Sequence, residues 1–425
     1  MKLTDSLWRV SKLKSRPYFR DLEHGRASPV RIAELIAYHV QIPLKTKIRH
    51  ASYTRRMTDS VVVRCVLSDG TEGWGEGLPR EYVTGETIDA AFGLLRATPL
   101  AQQLGAAVAT PASAIEVCEN FELTRPKPDD RNCFGNSIRC AIELSILDAV
   151  CRATSVPLSE ITSKYGPAAG IRQTRNAVQY SAVITSSSPM KQRIKSFLIR
   201  LHGFHQTKVK VGVAGVDDEV SLRRVRRHIG PKMNLRIDAN EAWTCDNLES
   251  NFAPLAQFNI TSIEQPVHHD QVNGLAALRP NLSAPIMLDE SLCSLEDGQR
   301  AIEDRTCDLF NIRISKCGGL LSSLRLAATA HQAGLGYQLG CQVGETGILS
   351  AAGRHFASSV GGIRYLEGSY DSFLVKERLT HENLTFGRRG LAPALTGPGL
   401  GVTIDEAALK RVTVAEEHFP IGIRS

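Results

Sequence analysis

From about residue 30 the chain carries strand-like apolar runs, Leu35 to Ile42 and Ser60 to Leu67. The turn Ser68-Asp69-Gly70-Thr71 before Trp74 makes them parts of an antiparallel hairpin or meander. Helical periodicity follows around Glu86 to Leu95. It returns from Ser137 to Ala153, where Ile138, Ala141, Ile142, Ser145, Ile146, Ala149 and Val150 form one apolar stripe. The first 170 residues therefore read as α+β. Beyond them a regular rhythm sets in: a short apolar strand ends in a polar or charged residue, and a helical segment and a turn follow. Strands are expected to begin near Gln179, Thr207, Asn234, Ile260, Ala284, Leu309, Gly336 and Ile363, about 25 to 28 residues apart. Strands as apolar as Leu235-Arg236-Ile237, Ile286-Met287-Leu288 and Phe310-Asn311-Ile312 predict a parallel barrel buried on both faces. A doubly wound open sheet uses the same units. The barrel is preferred because a chemically active residue closes several successive strands, and only a ring of strand ends makes such groups converge. After Tyr370 the rhythm stops, and a Gly/Pro-rich tail leads to a last short helix. The expected division is a basic extension over 1–30, an α+β unit over 31–170, a barrel over 171–375 and a closing segment over 376–425 that packs back onto the α+β unit.

Composition narrows the class. With 425 residues, 42 % hydrophobic and 22 % charged, the chain has the material for a large core. No run approaches the ~18 apolar residues of a membrane span. The net charge is +7, and the first 26 residues hold four of it, seven Lys or Arg against three Asp or Glu. A near-neutral body argues for a small-molecule ligand and against nucleic-acid partners; no membrane partner is expected without such an apolar run, and a homo-oligomer is expected. The ten cysteines contain no C-x-x-C pair, and several sit in apolar runs, such as Cys65 and Cys151. Together with the lack of an apolar secretory h-region at the N-terminus, this points to a reducing, cytoplasmic compartment. The basic extension reads as a surface arm or a targeting segment.

The chemistry is concentrated at strand ends. Asp238, Glu264 and Asp289 close the third, fourth and fifth expected barrel strands. One carboxylate at such a place commonly caps the next helix, but three on adjacent strands land at one rim, where they repel unless a cation neutralises them. Hard oxygen ligands suit Mg²⁺, with Mn²⁺ as the alternative. Lysines flank them: Lys208 and Lys210 on the second strand, which period-2 geometry sends to the same side, and Lys316 after the sixth. Two neighbouring cations depress each other's pKa, which suits one of them to act as a base. His268-His269-Asp270 reads as an ordinary polar loop rather than a metal site.

The series Lys208/Lys210, Asp238, Glu264, Asp289, Lys316, with the meander Gly73-Trp74-Gly75-Glu76 and the tail Pro398-Gly399-Leu400-Gly401-Val402, resembles the enolase superfamily and its muconate-lactonizing-enzyme subgroup. The resemblance implies an α/β fold: a modified TIM barrel, (β/α)7β, with an N-terminal α+β capping domain completed by the C-terminal tail. It also implies Mg²⁺ held by Asp238, Glu264 and Asp289. Lys210 and Lys316 would be acid/base catalysts on opposite faces of the substrate, and Lys208 would assist Lys210. The implied activity is abstraction of the proton α to a carboxylate to form an enediolate. The leading reaction is racemisation or epimerisation of an amino-acid derivative. A lyase of the o-succinylbenzoate synthase kind, a cycloisomerase and a catalytically retired binding or regulatory module remain as alternatives. The seventh strand, Gly336 to Gln342, has no histidine base of the mandelate racemase kind. Where dipeptide epimerases carry Asp-x-Asp on the eighth strand, this chain has Tyr365-Leu366-Glu367. Tyr365, Glu367, Glu345 and Asn240 are substrate-binding candidates. The stretches Lys45 to Arg56 and Arg80 to Thr87 add Arg49, His50, Arg55, Arg56, Tyr82 and Glu86 as specificity candidates.

Overall fold

The computed structural model describes residues 30–49, 54–185 and 188–422. Its N-terminal layer is a four-stranded antiparallel sheet in the order Thr413–Pro420, Ile32–Arg49, Thr54–Leu67, Glu72–Gly77. The two apolar runs expected as strands are the inner parts of a longer hairpin, with Ala37 opposite Val63. At the predicted turn Leu67 donates its N–H to the Thr71 carbonyl at 2.8 Å, and Gly70 takes φ +85°. The helix Asn136–Ala153 lies so close to the sheet that a Cβ at Gly73, Gly75 or Gly77 would stand 2.1 Å or less from its backbone. Alternate glycines share one face of a strand, so Gly-x-Gly-x-Gly is the pattern that admits a helix at this distance. The helix is buried on nearly every side, from Asn136 to Cys151.

The C-terminal segment closes this layer as expected. Its strand Thr413–Pro420 pairs with the first strand, Glu34 opposite Pro420. The tail turn meets the long helix where the Leu400 N–H donates to Asp148 Oδ1 at 2.6 Å, and it meets the segment after that helix where the Leu158 N–H donates to the Gly399 carbonyl at 2.7 Å.

The remaining strands form an eight-stranded sheet with every neighbouring pair parallel: Ala182–Ile184, Gln206–Lys210, Asn234–Asp238, Ile260–Glu264, Ile286–Leu288, Leu309–Ile312, Gly336–Leu339 and Ile363–Leu366. Seven begin within two residues of the expected places. The first begins at Ala182, because Ala177–Gln179 leaves the barrel to pair with Leu391–Pro393. The sheet curls on itself: the Ser181 N–H, at the entrance to the first strand, donates to the Leu366 carbonyl of the eighth at 2.7 Å. Curling brings all eight C-terminal strand ends to one mouth, which the open-sheet alternative would not do. Residues of the hairpin cross to that mouth, with Lys45 donating to the Ser372 carbonyl at 2.5 Å and the Lys376 N–H donating to the Pro43 carbonyl at 2.9 Å.

Candidate active site

Strand alternation decides which side chains reach the mouth from inside. On the fourth strand Glu264 points inward; on its neighbours Asp238 and Asp289 do the same, and all three are buried. Lys208 reaches the same layer from the second strand. Its ammonium lies 3.2 Å from Asp238 Oδ2, 3.0 Å from both oxygens of Glu264 and 3.0 Å from Glu367 Oε2. Glu367 arrives from the eighth strand, which only closure of the sheet brings within reach of the second. On the next layer down lies Arg236, fully buried, 2.9 Å from Glu367 Oε1 and donating to Gln338 Oε1 at 2.6 Å. Its guanidinium stands 4.4 Å from the Tyr365 ring centroid, and Tyr365 packs with Met287 and Leu309 in the barrel interior. Tyr365 therefore supports the layer beneath the rim.

The two outer lysines occupy different environments. Lys210 is half-buried at the end of its strand and makes no ion pair among the described residues. Lys316 is fully enclosed: its ammonium donates to the Asp289 carbonyl at 2.6 Å, to Asp289 Oδ1 at 2.8 Å and to the Asn311 carbonyl at 3.0 Å. The cation that faces the carboxylates from the sixth strand is Arg313, paired with Asp289 and 3.7 Å from Glu264.

The carboxyl groups of Asp238, Glu264, Asp289, Glu290 and Glu367 thus crowd Lys208, Arg236, Arg313 and Lys316, and their proton affinities diverge. Burial, and then the nearby Asp238, raise Glu264 to about 7 against the pull of Lys208. Burial followed by Asp289 pushes Glu290 well above the carboxylate range. Burial also acts to raise Asp289 and Glu367. Arg313 and Lys316 outweigh it for Asp289, and Lys208 and Arg236 for Glu367, so both lie below the usual value. Lys208 departs from the expectation that paired lysines depress each other. Burial acts to lower it, but Glu264, Glu367 and Asp238 outweigh that and hold it protonated.

The other candidates fall at the edge of this cluster. The Asn240 N–H donates to Asp238 Oδ1 at 3.1 Å and its side chain to Glu290 Oε1 at 3.3 Å, so it orients two carboxyls. Glu345 is half-buried, accepts from the Gln342 N–H at 2.6 Å and is pushed by burial to about 8. Tyr82 packs on Val83, Cys133 and Cys293, where the α+β layer meets the fifth barrel unit. Glu86 turns inward, accepting from the Ser137 hydroxyl at 2.7 Å and its N–H at 3.1 Å at the start of the long helix. This explains its role without substrate. The Arg49 side chain and His50 lie outside the described residues. Glu241, His268 and His269 bring ligand atoms within 4.8 Å of one another. The 2.7 Å pair between His269 Nδ1 and Glu241 accounts for that approach. Sequence reasoning passed over Arg236, Arg313 and Asn311. For Arg236 and Asn311 the signal was present as a polar side chain inside an apolar strand, since such a residue must face a polar interior, and Arg313 directly follows the strand that holds Asn311.

A parallel barrel with an antiparallel cap, and acidic and basic side chains gathered at its C-terminal strand ends, is the architecture of an enzyme whose active site lies at that mouth. The family model for the enolase C-terminal domain-like region matches residues 190–408, just over half of the chain, and the chain belongs to that family. It is an enzyme of the enolase superfamily. Among curated relatives, it is 27 % identical to an N-succinyl-L-Arg/Lys racemase of Bacillus cereus over 91 % of this chain and 99 % of the relative. It is 26 % identical to an L-Ala-D/L-Glu epimerase of Bacillus subtilis over 90 % and 99 %. The solved structure of a dipeptide epimerase from Enterococcus faecalis, complexed with Mg and the dipeptide L-Leu-L-Tyr, superposes with a TM-score of 0.75 at 25 % identity, covering 88 % of this chain and 99 % of that one.

Proposed function

We propose that this enzyme removes the proton α to a carboxylate and returns it, racemising or epimerising an amino-acid derivative, with Lys210 as the base on one face and Lys316, drawn out of its hydrogen bonds, as the proton carrier on the other. The observation that carries the reading is the contrast at the mouth: Lys210, in register with Asp238 on the next strand, stands half-buried without an ion pair among the described residues, whereas Lys208, Asp238, Glu264 and Glu367 are all paired. Racemase and epimerase relatives support the reaction type. Asp238, Glu264 and Asp289 form a hard, buried oxygen set in which burial, and then the neighbouring carboxylates, raise Glu264, which fits a divalent cation, and we assign Mg²⁺ to them. When bound, that ion supplies positive charge against the negative charge developing on the substrate carboxylate. Lys208 holds Glu264 and Asp238 in place, Asn240 orients Asp238, and Arg236 fixes Glu367 from below. Among the described residues no helix is long and apolar enough to cross a membrane, and all ten cysteines are free thiols. The free thiols support a reducing, cytoplasmic setting.

One observation favours a second reading. Racemisation needs a proton carrier on each face of the substrate, and Lys316 reaches the second face only by leaving two backbone carbonyls and Asp289. The exposed edge on that side belongs to Arg313, which stays protonated at any working pH. A single base opposite a fixed cation suits elimination or cycloisomerisation. Incubation of N-acylamino acids, dipeptides and hydroxy acids in D₂O decides the matter. Exchange of the α-hydrogen in both enantiomers, lost with EDTA, is the expected result. Exchange of one enantiomer alone selects the one-base reaction, and no exchange with any member of the panel overturns α-proton abstraction.

A further inference from the structure

The helix Pro189–Leu201, on the outer wall after the first barrel strand, is packed with its polar side inward. Its buried residues are Gln192, Ser196 and Ile199. Gln192 donates to the Ser221 hydroxyl at 2.8 Å and accepts from Arg224 at 2.5 Å on the neighbouring helix Asp218–Ile229. At 3.6 residues per turn Met190, Ile194, Phe197, Leu198 and Leu201 share the opposite face, and they are 43 to 61 % exposed. The barrel helix Gly347–Ser359 does the reverse, burying Ile348, Leu349 and Phe356. Lone apolar side chains on a surface need no explanation, but five in one stripe mark a contact surface. Lys191 and Lys195 border the stripe on one side and Arg193 and Arg200 on the other, and the helix contains no acidic residue. The Arg389 N–H donates to the His202 carbonyl at 2.8 Å, which brings the exposed Arg388, Arg389 and Leu391 to the helix's C-terminal end and extends the same chemistry.

We propose that this face docks on an anionic lipid bilayer, the helix lying in the interfacial plane with its apolar stripe toward the acyl region and its cations among the headgroups. Charge placement selects the occupant. A second copy of the chain laid antiparallel across the stripe would set Lys191 and Lys195, or Arg193 and Arg200, against the same cations, whereas acidic headgroups complement both borders at once. The helix lies on the barrel's flank, so docking leaves the mouth open to substrate. The expectation of no membrane contact came from the absence of long apolar runs. In this 13-residue helix cations interrupt every run, and only the fold shows which face is left outside.

Co-sedimentation of the full chain with phosphatidylglycerol/phosphatidylcholine vesicles tests the proposal, with pure phosphatidylcholine vesicles as control. The expected result is binding to the anionic vesicles alone, reversed by high salt, and weakened about fivefold by Lys195→Ala. Ile194→Glu with Phe197→Glu is expected to weaken binding at least tenfold while leaving the melting curve and the circular dichroism spectrum unchanged, since both side chains are exposed. No binding to anionic vesicles overturns the proposal. Binding retained by the double variant also overturns it and assigns the contact to the basic first 26 residues. A wild-type dimer that the double variant dissociates, without vesicle binding, shows that a second copy covers the face.

Discussion

The sharpest test of the site concerns Lys316, whose sequence position implies a mobile base and whose surroundings imply a fixed strut. Its ammonium is sealed from solvent and gives three hydrogen bonds of 2.6, 2.8 and 3.0 Å, two of them to carbonyl oxygens that belong to the backbone of the fifth and sixth strand ends. Lys316→Ala removes the donor from both carbonyls and takes one of two cations from the buried Asp289. Breaking a buried pair by deleting one partner costs about 3–5 kcal/mol, because the other charge stays behind. At roughly 2–4 °C per kcal/mol for a domain of barrel size, melting should fall by at least about 6 °C. Lys210→Ala removes a half-buried cation with no ion pair among the described residues, so its cost should stay within about 1 kcal/mol while α-exchange is lost. Scanning calorimetry on both variants, run beside deuterium exchange of each enantiomer, separates the two roles. If Lys316→Ala melts within about 2 °C of the parent, a loss under roughly 1 kcal/mol, and abolishes exchange of one enantiomer only, Lys316 is a mobile base and the strut reading fails.

Arg313→Lys places a group that can lose its proton where the guanidinium faces Asp289 and Glu264, and exchange of the slower enantiomer should rise at least tenfold; an unchanged ratio between enantiomers would show that this side chain does not face the substrate. Glu367 is already held by Lys208 at 3.0 Å and Arg236 at 2.9 Å, so zwitterionic dipeptides should be poorer substrates than amino acids with a blocked amine, and efficient epimerisation of an Ala-Glu dipeptide would refute this. The pH dependence of stability follows from buried carboxyls. Burial lifts Glu76, Glu86 and Glu143 from 4.5 to about 7. Between pH 4.5 and 7 the folded chain thus binds more protons than the unfolded one, and each group lowers stability with rising pH by up to roughly 1.4 kcal/mol per pH unit. The melting temperature should fall from pH 5 to pH 7.5, with a smaller slope in Glu76→Gln; a melting temperature that climbs over that range would contradict the burial assigned to all three.

What the sequence determined by itself was order and periodicity. The strand ends Lys208/Lys210, Asp238, Glu264 and Asp289 were legible because a strand's side chains alternate, a barrel's strand ends converge, and each residue closes a short apolar run. Gly73, Gly75 and Gly77 stand at alternate positions of one strand, but only the structure shows the helix that their bare face admits. What only the tertiary structure decided was partnership across the ring. Lys208 and Glu367 are 159 positions apart and meet because the first and eighth strands join; Arg313 and Lys316 are three apart, and only their packing shows that the arginine faces the mouth while the lysine is sealed behind it. Glu86 read as a specificity candidate, and the long helix's first turn claims it instead. The outer helix shows the same limit, since the stripe of Met190, Ile194, Phe197, Leu198 and Leu201 is visible in the sequence but hydrophobic periodicity assigns it to the core. Periodicity reports that a helix has two faces, and which one is buried depends on whether Gln192 finds Ser221 and Arg224 on the neighbouring helix, a contact between elements that no local pattern encodes.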